Sequence, residues 1–594
     1  MTNEQTGLSV NKMRLYMLSS LKILVLVYLL WLTVLPVEVR WADADVYLNI
    51  GIPVIGIAGM ICILLSKAQM KVSIVDGMVM IWALYYVGRV WIGAEYPCGI
   101  DFLKAMEMVL LYFTLRCVLN NARWSGWWLI AGIVGCGIYE SLLGIYQILT
   151  GTSRHHLFLF TGSFQNPGPY SAYLMMAAIM GLSVCSLYLK DIKREIRKIS
   201  NKVRGSIPEG LPLFFRIIVF VPILVLPATW SRSAFVGFGL CALWIYRKKY
   251  WKYRYYVWSC LAALAVVFYF IKRGSADGRT LIWMASLTSW LHDIWFGVGV
   301  GGFRNACAEG IAEMWNAKPQ SIMFESAGVT DCSYNALLNV LVEQGLIGAI
   351  LCVATVVLAM VRLFKQSVIL FLGMTSLVIF SMFSYPFELL PYTIIAVMVI
   401  AWSESENKES LSIHISKMKC SVVCLIAIAF SCCLKEEISD RIEQDEEANL
   451  FSGMQNEAFL PDYYELLPYE NDDPHYLFDF AKTLRSAKRY GDSNAILRQA
   501  TLVSPDPMFY VLMGNNYKDQ KYYDLSEKAY KKAFSIMPNR LYPLYQLMLL
   551  YDETGEIQKS RKMAQRIVAF KEKVTSPATK EMKDKARDVL NQNR

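Results

Sequence analysis

Charge is scarce in this sequence. Asp, Glu, Lys and Arg make up 18% of its 594 residues, against about a quarter in an ordinary soluble domain. With 55% hydrophobic residues, that excludes a disordered polyelectrolyte. Histidine is rarer still, with five in the whole chain, and none stands in a metal-ligand cluster. No glycine-rich loop ends in Gly-Lys-Ser/Thr, so nothing points to nucleotide-driven chemistry. No cofactor or metal is therefore expected. A small-residue cleavage site is also missing after the first apolar run, which reads as a retained helix rather than a signal peptide.

What fills the space is long apolar sequence. The mean hydropathy is +0.34, and apolar segments lie near 18–37, 48–65, 74–93, 102–118, 127–149, 168–189, 214–230, 233–247, 255–271, 335–360, 367–384, 387–402 and 418–434. Many approach the roughly 20 residues that cross a bilayer. The expectation is an all-α, polytopic membrane protein of about 12–13 spans over residues 1–434. The last span is the weakest, with 14 apolar residues from Ser421 to Leu434.

The net charge of +10 is unevenly spread. Residues 435–594 hold 24 Lys and Arg against 26 Asp and Glu, which leaves 35 basic and 23 acidic groups in the membrane half. A basic excess can signal nucleic-acid binding, but here it lies in short inter-helix loops, and no nucleic acid is expected. Clusters at Lys12/Arg14, Lys67/Lys71, Arg116/Arg123, Lys190–Arg204, Arg247–Arg254, Arg362/Lys365 and Lys408/Lys417/Lys419 punctuate every second gap. Placed in the cytoplasm, they put the N-terminus inside and the loops 150–167, 231–233 and 272–334 outside. The compartment expected is an inner, cytoplasmic membrane of a bacterium, with the outer loops periplasmic. Most of the 14 cysteines fall in spans as small buried hydrophobes. Cys98, Cys307 and Cys332 fall outside, and a Cys307–Cys332 disulfide stays open.

From about 473 a soluble helical pattern repeats every 33–34 residues. Ala481, Gly514 and Met548 correspond, as do Tyr490 and Tyr523, and Ala495, Ala529 and Met563, with Pro505 and Pro538 closing two units. This resembles about three tetratricopeptide repeats, an α-solenoid over 473–594. Such arrays present surfaces to partner proteins, and the alternative is a packing scaffold without a ligand. Residues 435–472 read as a linker or capping segment.

Two arginines sit where a membrane anchor gains nothing from them. Arg232 is flanked by apolar sequence, and Arg279 opens the largest outer loop. An arginine at a bilayer is costly and usually functional. Both fall on the outer side, and a permanently charged planar fork grips phosphate or pyrophosphate well. Snorkelling for Arg232 and loop bracing for Arg279 are the alternatives.

Gly162-Ser-Phe-Gln-Asn-Pro-Gly-Pro-Tyr-Ser-Ala-Tyr-Leu174, Trp230-Ser-Arg-Ser-Ala234, Gly278-Arg-Thr-Leu-Ile-Trp-Met-Ala-Ser286 with Phe296-Gly-Val-Gly-Val-Gly-Gly-Phe303, and Tyr334-Asn-Ala-Leu-Leu-Asn-Val-Leu-Val-Glu-Gln-Gly-Leu-Ile-Gly348 together resemble the O-antigen ligase and polymerase family. The resemblance covers roughly 20–402. It implies an inverting, metal-independent glycosyltransferase at the outer face of the membrane. The donor would be a polyprenyl-pyrophosphate-linked glycan, and the acceptor a lipid, a glycan or a protein hydroxyl. Arg232 and Arg279 would then stabilise the leaving pyrophosphate. Gln165, Asn166, Arg273 and Asn335 are candidates for substrate binding.

One departure stands out. Many members of the family carry histidine where this chain has Tyr334, a poor base at neutral pH. His155, His156, His292, Glu325 and Asp331 are other candidates for that role. The run Gly297–Gly302 lacks the strand–helix context of a phosphate loop and is expected to bend an amphipathic segment, Leu287–Phe296, along the membrane. Two other classes stay open. A transporter of lipid-linked glycan is disfavoured by the lack of paired, Gly/Pro-interrupted spans. A membrane scaffold presenting the repeats would not need either arginine.

Overall fold

A computed structural model describes residues 2–36, 43–66, 70–93, 96–97, 101–120, 122, 124–188, 219–249, 251–259, 273–319, 322–405, 414–572 and 576–591. The membrane half is built from α1 (Thr2–Leu32), α2 (Asp43–Leu65), α3 (Ile74–Trp91), α4 (Asp101–Val118), α5 (Ser125–Thr150), α6 (Pro167–Ser183), α7 (Arg232–Ile245), α8 (Arg273–Trp290), α9 (Phe303–Ala317), α10 (Ala336–Gln366), α11 (Val368–Ser381), α12 (Leu390–Glu404) and α13 (Lys417–Phe451). Seven described helices are long and apolar enough to span a membrane: α1, α2, α3, α5, α6, α10 and α13. Four shorter apolar helices, Val219–Thr229, α7, α11 and α12, accompany them. The expected span at 255–271 falls largely outside the described residues, as do Arg123, Lys190–Arg204 and Cys98.

The doubtful last span is part of a single 35-residue helix, about 52 Å long at 1.5 Å per residue. Its acidic second half, Lys435–Phe451, lies within the segment read as a linker.

Helix α6 is the centre of the bundle. Its residues from Pro169 to Ser183 are all buried, against α5, α7 and α11. In a bilayer, water exclusion does not drive helices together, so close packing and satisfied polar groups carry this contact. Thr33 and Tyr173 share a buried hydroxyl–hydroxyl bond of 2.8 Å, and Tyr392 donates to the Pro169 carbonyl. The charged α4 is accommodated the same way. Arg116 meets Asp76 at 2.8 Å and Tyr112 donates to the same carboxylate at 2.7 Å.

Two loop contacts relate the faces of the bundle. Met70–Lys71 (β1) pairs antiparallel with His414–Ile415 (β2), which joins two of the basic loops on one face. On the opposite face, α9 packs against the C-terminal helices, so α13 runs from one face to the other.

Beyond α13 come α14 (Leu460–Glu470), then three helix pairs: α15 (Pro474–Ser486) with α16 (Tyr490–Val503), α17 (Pro507–Asp519) with α18 (Tyr523–Ile536), and α19 (Tyr542–Glu553) with α20 (Ile557–Val568). Helix α21 (Pro577–Asn591) closes the array against α20. Asp473 and Asp506 cap α15 and α17, each followed by proline at the first helical position. Ala481, Gly514 and Met548 are all buried, as are Ala529 and Met563. Ala495 is exposed and its neighbour Ile496 is buried instead, so the register there shifts by one residue. Each large apolar side chain in these cores contributes about 1.5–3 kcal/mol.

Candidate functional site

Three of the conspicuous sequence blocks are helix starts. Asn166 caps α6 by accepting from Gly168 N–H at 2.8 Å. Ser231 caps α7 by accepting from Ala234 N–H at 3.4 Å, which makes Arg232 its first helical residue. Asn335 caps α10 by accepting from Leu338 N–H at 3.1 Å. Helix α11 packs against α6, α7 and α10 alike. A helix N-terminus carries roughly half a positive charge and exposes backbone N–H groups, so it favours an anion.

Arg279 lies on α8, half-buried, with its guanidinium 5.4 Å from the centre of the Tyr334 ring. Burial, and then the charge of Arg232, hold its basicity below the ordinary value. An Arg279 guanidinium close enough to Arg232 to feel its charge gains from an anion between them. The structure thus brings Arg232, Arg279 and Tyr334 together, with Asn335 next in the chain. Gln165 and Asn166 lie at the start of α6, which packs on α7. Arg273 begins α8, and its side chain is outside the described set.

Tyr334 is held in an unusual backbone state, with φ of 57°. Trp230, two residues before Arg232, is the other left-handed residue here, with φ of 50°. Such positions cost on the order of 1–3 kcal/mol and persist only where neighbours enforce them. For Tyr334 the enforcement is visible. Trp283 Nε1 donates to the Ser333 carbonyl at 2.8 Å. Ser333 N–H donates to Asn339 Oδ1 at 2.7 Å, and Ser333 Oγ to the Asn335 carbonyl at 2.7 Å. Histidine, the residue the family resemblance places here, is among the types that tolerate this region better.

The loop between α11 and α12 completes the group, and sequence reading missed it. Tyr385 meets Tyr334 edge to face at 5.6 Å. Glu388 accepts from Asn339 Nδ2 at 3.1 Å, and its charge is felt at Cys332, two residues before Tyr334. A carboxylate in a short turn between two apolar segments was the available signal. Burial raises the Tyr334 hydroxyl above its usual range and pushes Tyr385 up to about 12. Both are donors at neutral pH.

The other candidate bases are engaged elsewhere. His155 and His156 stack on each other at 4.8 Å. His292 pairs with Glu313 at 2.8 Å, Asp331 with Arg304 at 2.7 Å, and Glu325 with Lys571 at 3.3 Å. Cys307 and Cys332 are both buried free thiols.

The glycine run does more than turn the chain. Helix α8 runs to Trp290, and 291–302 then passes in turns alongside a kink in α10. Val298 N–H donates to the Val342 carbonyl and Gly299 N–H to that of Glu343, each at 3.0 Å. Leu346 N–H donates back to the Ile294 carbonyl at 2.9 Å. Backbone meets backbone so closely that a β-carbon on Gly297 would stand 2.3 Å from the Val342 carbonyl oxygen. Gly345, at φ 66° and ψ −169°, makes the kink.

Among the described residues, one set of carboxylates lies within 4.8 Å of one another as metal ligands do: Asp445, Glu470 and Asp473, at the base of the repeats.

Comparison with known proteins bears on the same stretch. Residues 217–353 match the family described as O-Antigen ligase. That segment contains Arg232, Arg279 and Tyr334, and the Gly162–Leu174 block lies outside it. Among solved structures, the crystal structure of the MamA protein aligns with 26% of this chain and 89% of its own, at 15% identity and a TM-score of 0.21. No curated protein matches. The two arginines and Tyr334 thus all lie in the one stretch, residues 217–353, that is similar to the O-antigen ligase family.

Proposed function

We propose that this protein transfers a glycan from a polyprenyl-pyrophosphate-linked donor to an acceptor hydroxyl at the outer, periplasmic face of a bacterial inner membrane. The observation that carries the reading is the pairing of Arg232, at the start of α7, with Arg279 of α8 beside Tyr334. In the reaction, the acceptor oxygen bonds to the anomeric carbon as the C–O bond to pyrophosphate breaks, with inversion. The leaving group takes the electron pair as polyprenyl pyrophosphate. Arg232 and Arg279 stabilise its developing charge by charge-assisted hydrogen bonds, which gain strength in a site shielded from water. Tyr334, protonated at neutral pH, donates to a phosphate oxygen. The acceptor proton goes to Glu388, the carboxylate that Asn339 orients beside this group. The chemistry needs no metal and no nucleotide.

A deletion strain with glycan profiling tests the activity and names the acceptor. Loss of capped lipid core, shortened chains or loss of a glycoprotein identifies a lipid ligase, a polymerase or a protein oligosaccharyltransferase respectively. A profile unchanged by the deletion contradicts the enzyme reading.

A further inference from the structure

The repeat array holds the outer loop from one side. Asn539, in the turn after α18, donates its Nδ2 to two backbone carbonyls of that loop, Glu325 at 3.0 Å and Ala327 at 2.7 Å. Trp315 of α9 stands edge-on between Phe324 of the loop and Phe534 of α18, at 5.1 and 5.4 Å. Ala308 and Ala312 pack on Ile536, and Asn305 Nδ2 donates to the Leu502 carbonyl at 2.6 Å. Lys532 pairs with Glu309, and Lys571 with Glu325.

What is held leads straight to the site. Ala327 precedes Tyr334 by seven residues, and Phe324 and Ala327 share one core with Leu281 and Ala285 of α8 and Leu338 and Val342 of α10. Ser326 Cβ is 3.7 Å from where a side chain on Gly278 would begin, next to Arg279. The loop itself has little regular structure between Ala327 and Asn335. Two hydrogen bonds from one side chain to backbone carbonyls two residues apart, beside an interlocked aromatic trio, fix such a segment where a helix would otherwise do so.

We infer that the repeat array is a positioning element for the loop that carries Tyr334 and abuts Arg279, with Asn539 as the residue that fixes it. The repeats are then part of the catalytic unit, whatever partner they also engage. The link to activity rests on the transferase reading above; the link to loop order does not.

The test uses the full-length protein in nanodiscs. Asn539→Asp keeps the shape but replaces a donor with a group that repels both carbonyls. Amide exchange over 322–335 is expected to rise roughly 30-fold, the loss of about two ordinary hydrogen bonds, while protection of α15–α20 is unchanged. Transfer is expected to lose kcat more than donor KM, because a displaced Arg279 is missed chiefly in the transition state. Lys532→Glu should loosen the same segment, and adding Glu309→Lys should restore it, a rescue that general destabilisation of the repeats does not give. Unchanged exchange over 322–335 in Asn539→Asp overturns the inference, as does failure of the charge exchange to rescue. If exchange rises while Arg279→Ala retains full transfer, the transferase reading has failed and the positioning role stands.

Discussion

Gly345→Ala attacks the junction between α10 and the glycine run without touching any charged residue of the site. The native backbone there, φ 66° and ψ −169°, lies in a region essentially reserved for glycine, at a cost of about 1–3 kcal/mol for any other residue. The added methyl would also stand 2.2 Å from the Trp295 carbonyl oxygen and 2.5 Å from Phe296 N. Both are backbone atoms and cannot swing away. Relief requires the two segments to separate, which breaks the bonds from Val298, Gly299, Leu346 and Ile347 N–H across the junction, each contributing about 0.5–1.5 kcal/mol. The loss is therefore about 3 kcal/mol or more, a lower apparent Tm in detergent, and a misplaced entry to α9. Transfer activity should fall with it. Gly301→Ala is the companion change: it retains a backbone amide that donates to Glu343, but adds a side chain at φ 83°, a left-handed strain of about 1–3 kcal/mol. A Gly345→Ala protein with wild-type Tm and wild-type transfer would refute the reasoning about this junction.

Other changes separate charge, shape and proton transfer. Arg279→Lys keeps the charge and loses the fork, so the transfer rate should fall roughly 10- to 100-fold, the worth of a charge-assisted bond, and Arg279→Ala should fall further. Glu388→Gln preserves an acceptor for Asn339 but removes the proton acceptor; transfer should fall at every pH, and an unchanged pH–rate profile removes Glu388 from the mechanism. Tyr385 has its folded-state value raised to about 12 from 10.0, so its contribution to stability is full below pH 10 and lost as the pH rises towards 12. Tyr385→Phe should flatten that alkaline decline in a pH series of thermal melts, and an unaltered decline assigns it elsewhere. Trp283→Phe removes the donor to the Ser333 carbonyl, and should weaken transfer through Tyr334 while leaving expression near normal.

Much of the fold was legible because its signals are local. Apolar run length marks a span wherever it occurs, whereas Asn166 and Asn335, read in the sequence as substrate-binding candidates, also cap helices. The 33-residue spacing of Ala481 and Gly514 likewise needs no tertiary information. The candidate site was legible only where charge and environment clash, as at Arg232 and Arg279. Tyr385 and Glu388 lie about fifty residues beyond Tyr334 in an ordinary turn, and only the packing of α10 against α11 and α12 brings them in. The partner of the glycine run was hidden for the same reason: it is the backbone of α10, and backbone leaves no trace in sequence. Asn539 carries no sequence signal of its role, because the two carbonyls it holds lie more than 200 residues before it.

The pyrophosphate clamp can be addressed directly by titrating the purified full-length protein in nanodiscs with polyprenyl pyrophosphate and polyprenyl monophosphate. Wild type should bind the pyrophosphate more tightly, and Arg232→Ala together with Arg279→Ala should abolish that preference while the melting temperature stays near wild type. Equal binding of the two lipids by wild type, or a preference that survives loss of both arginines, would contradict the account.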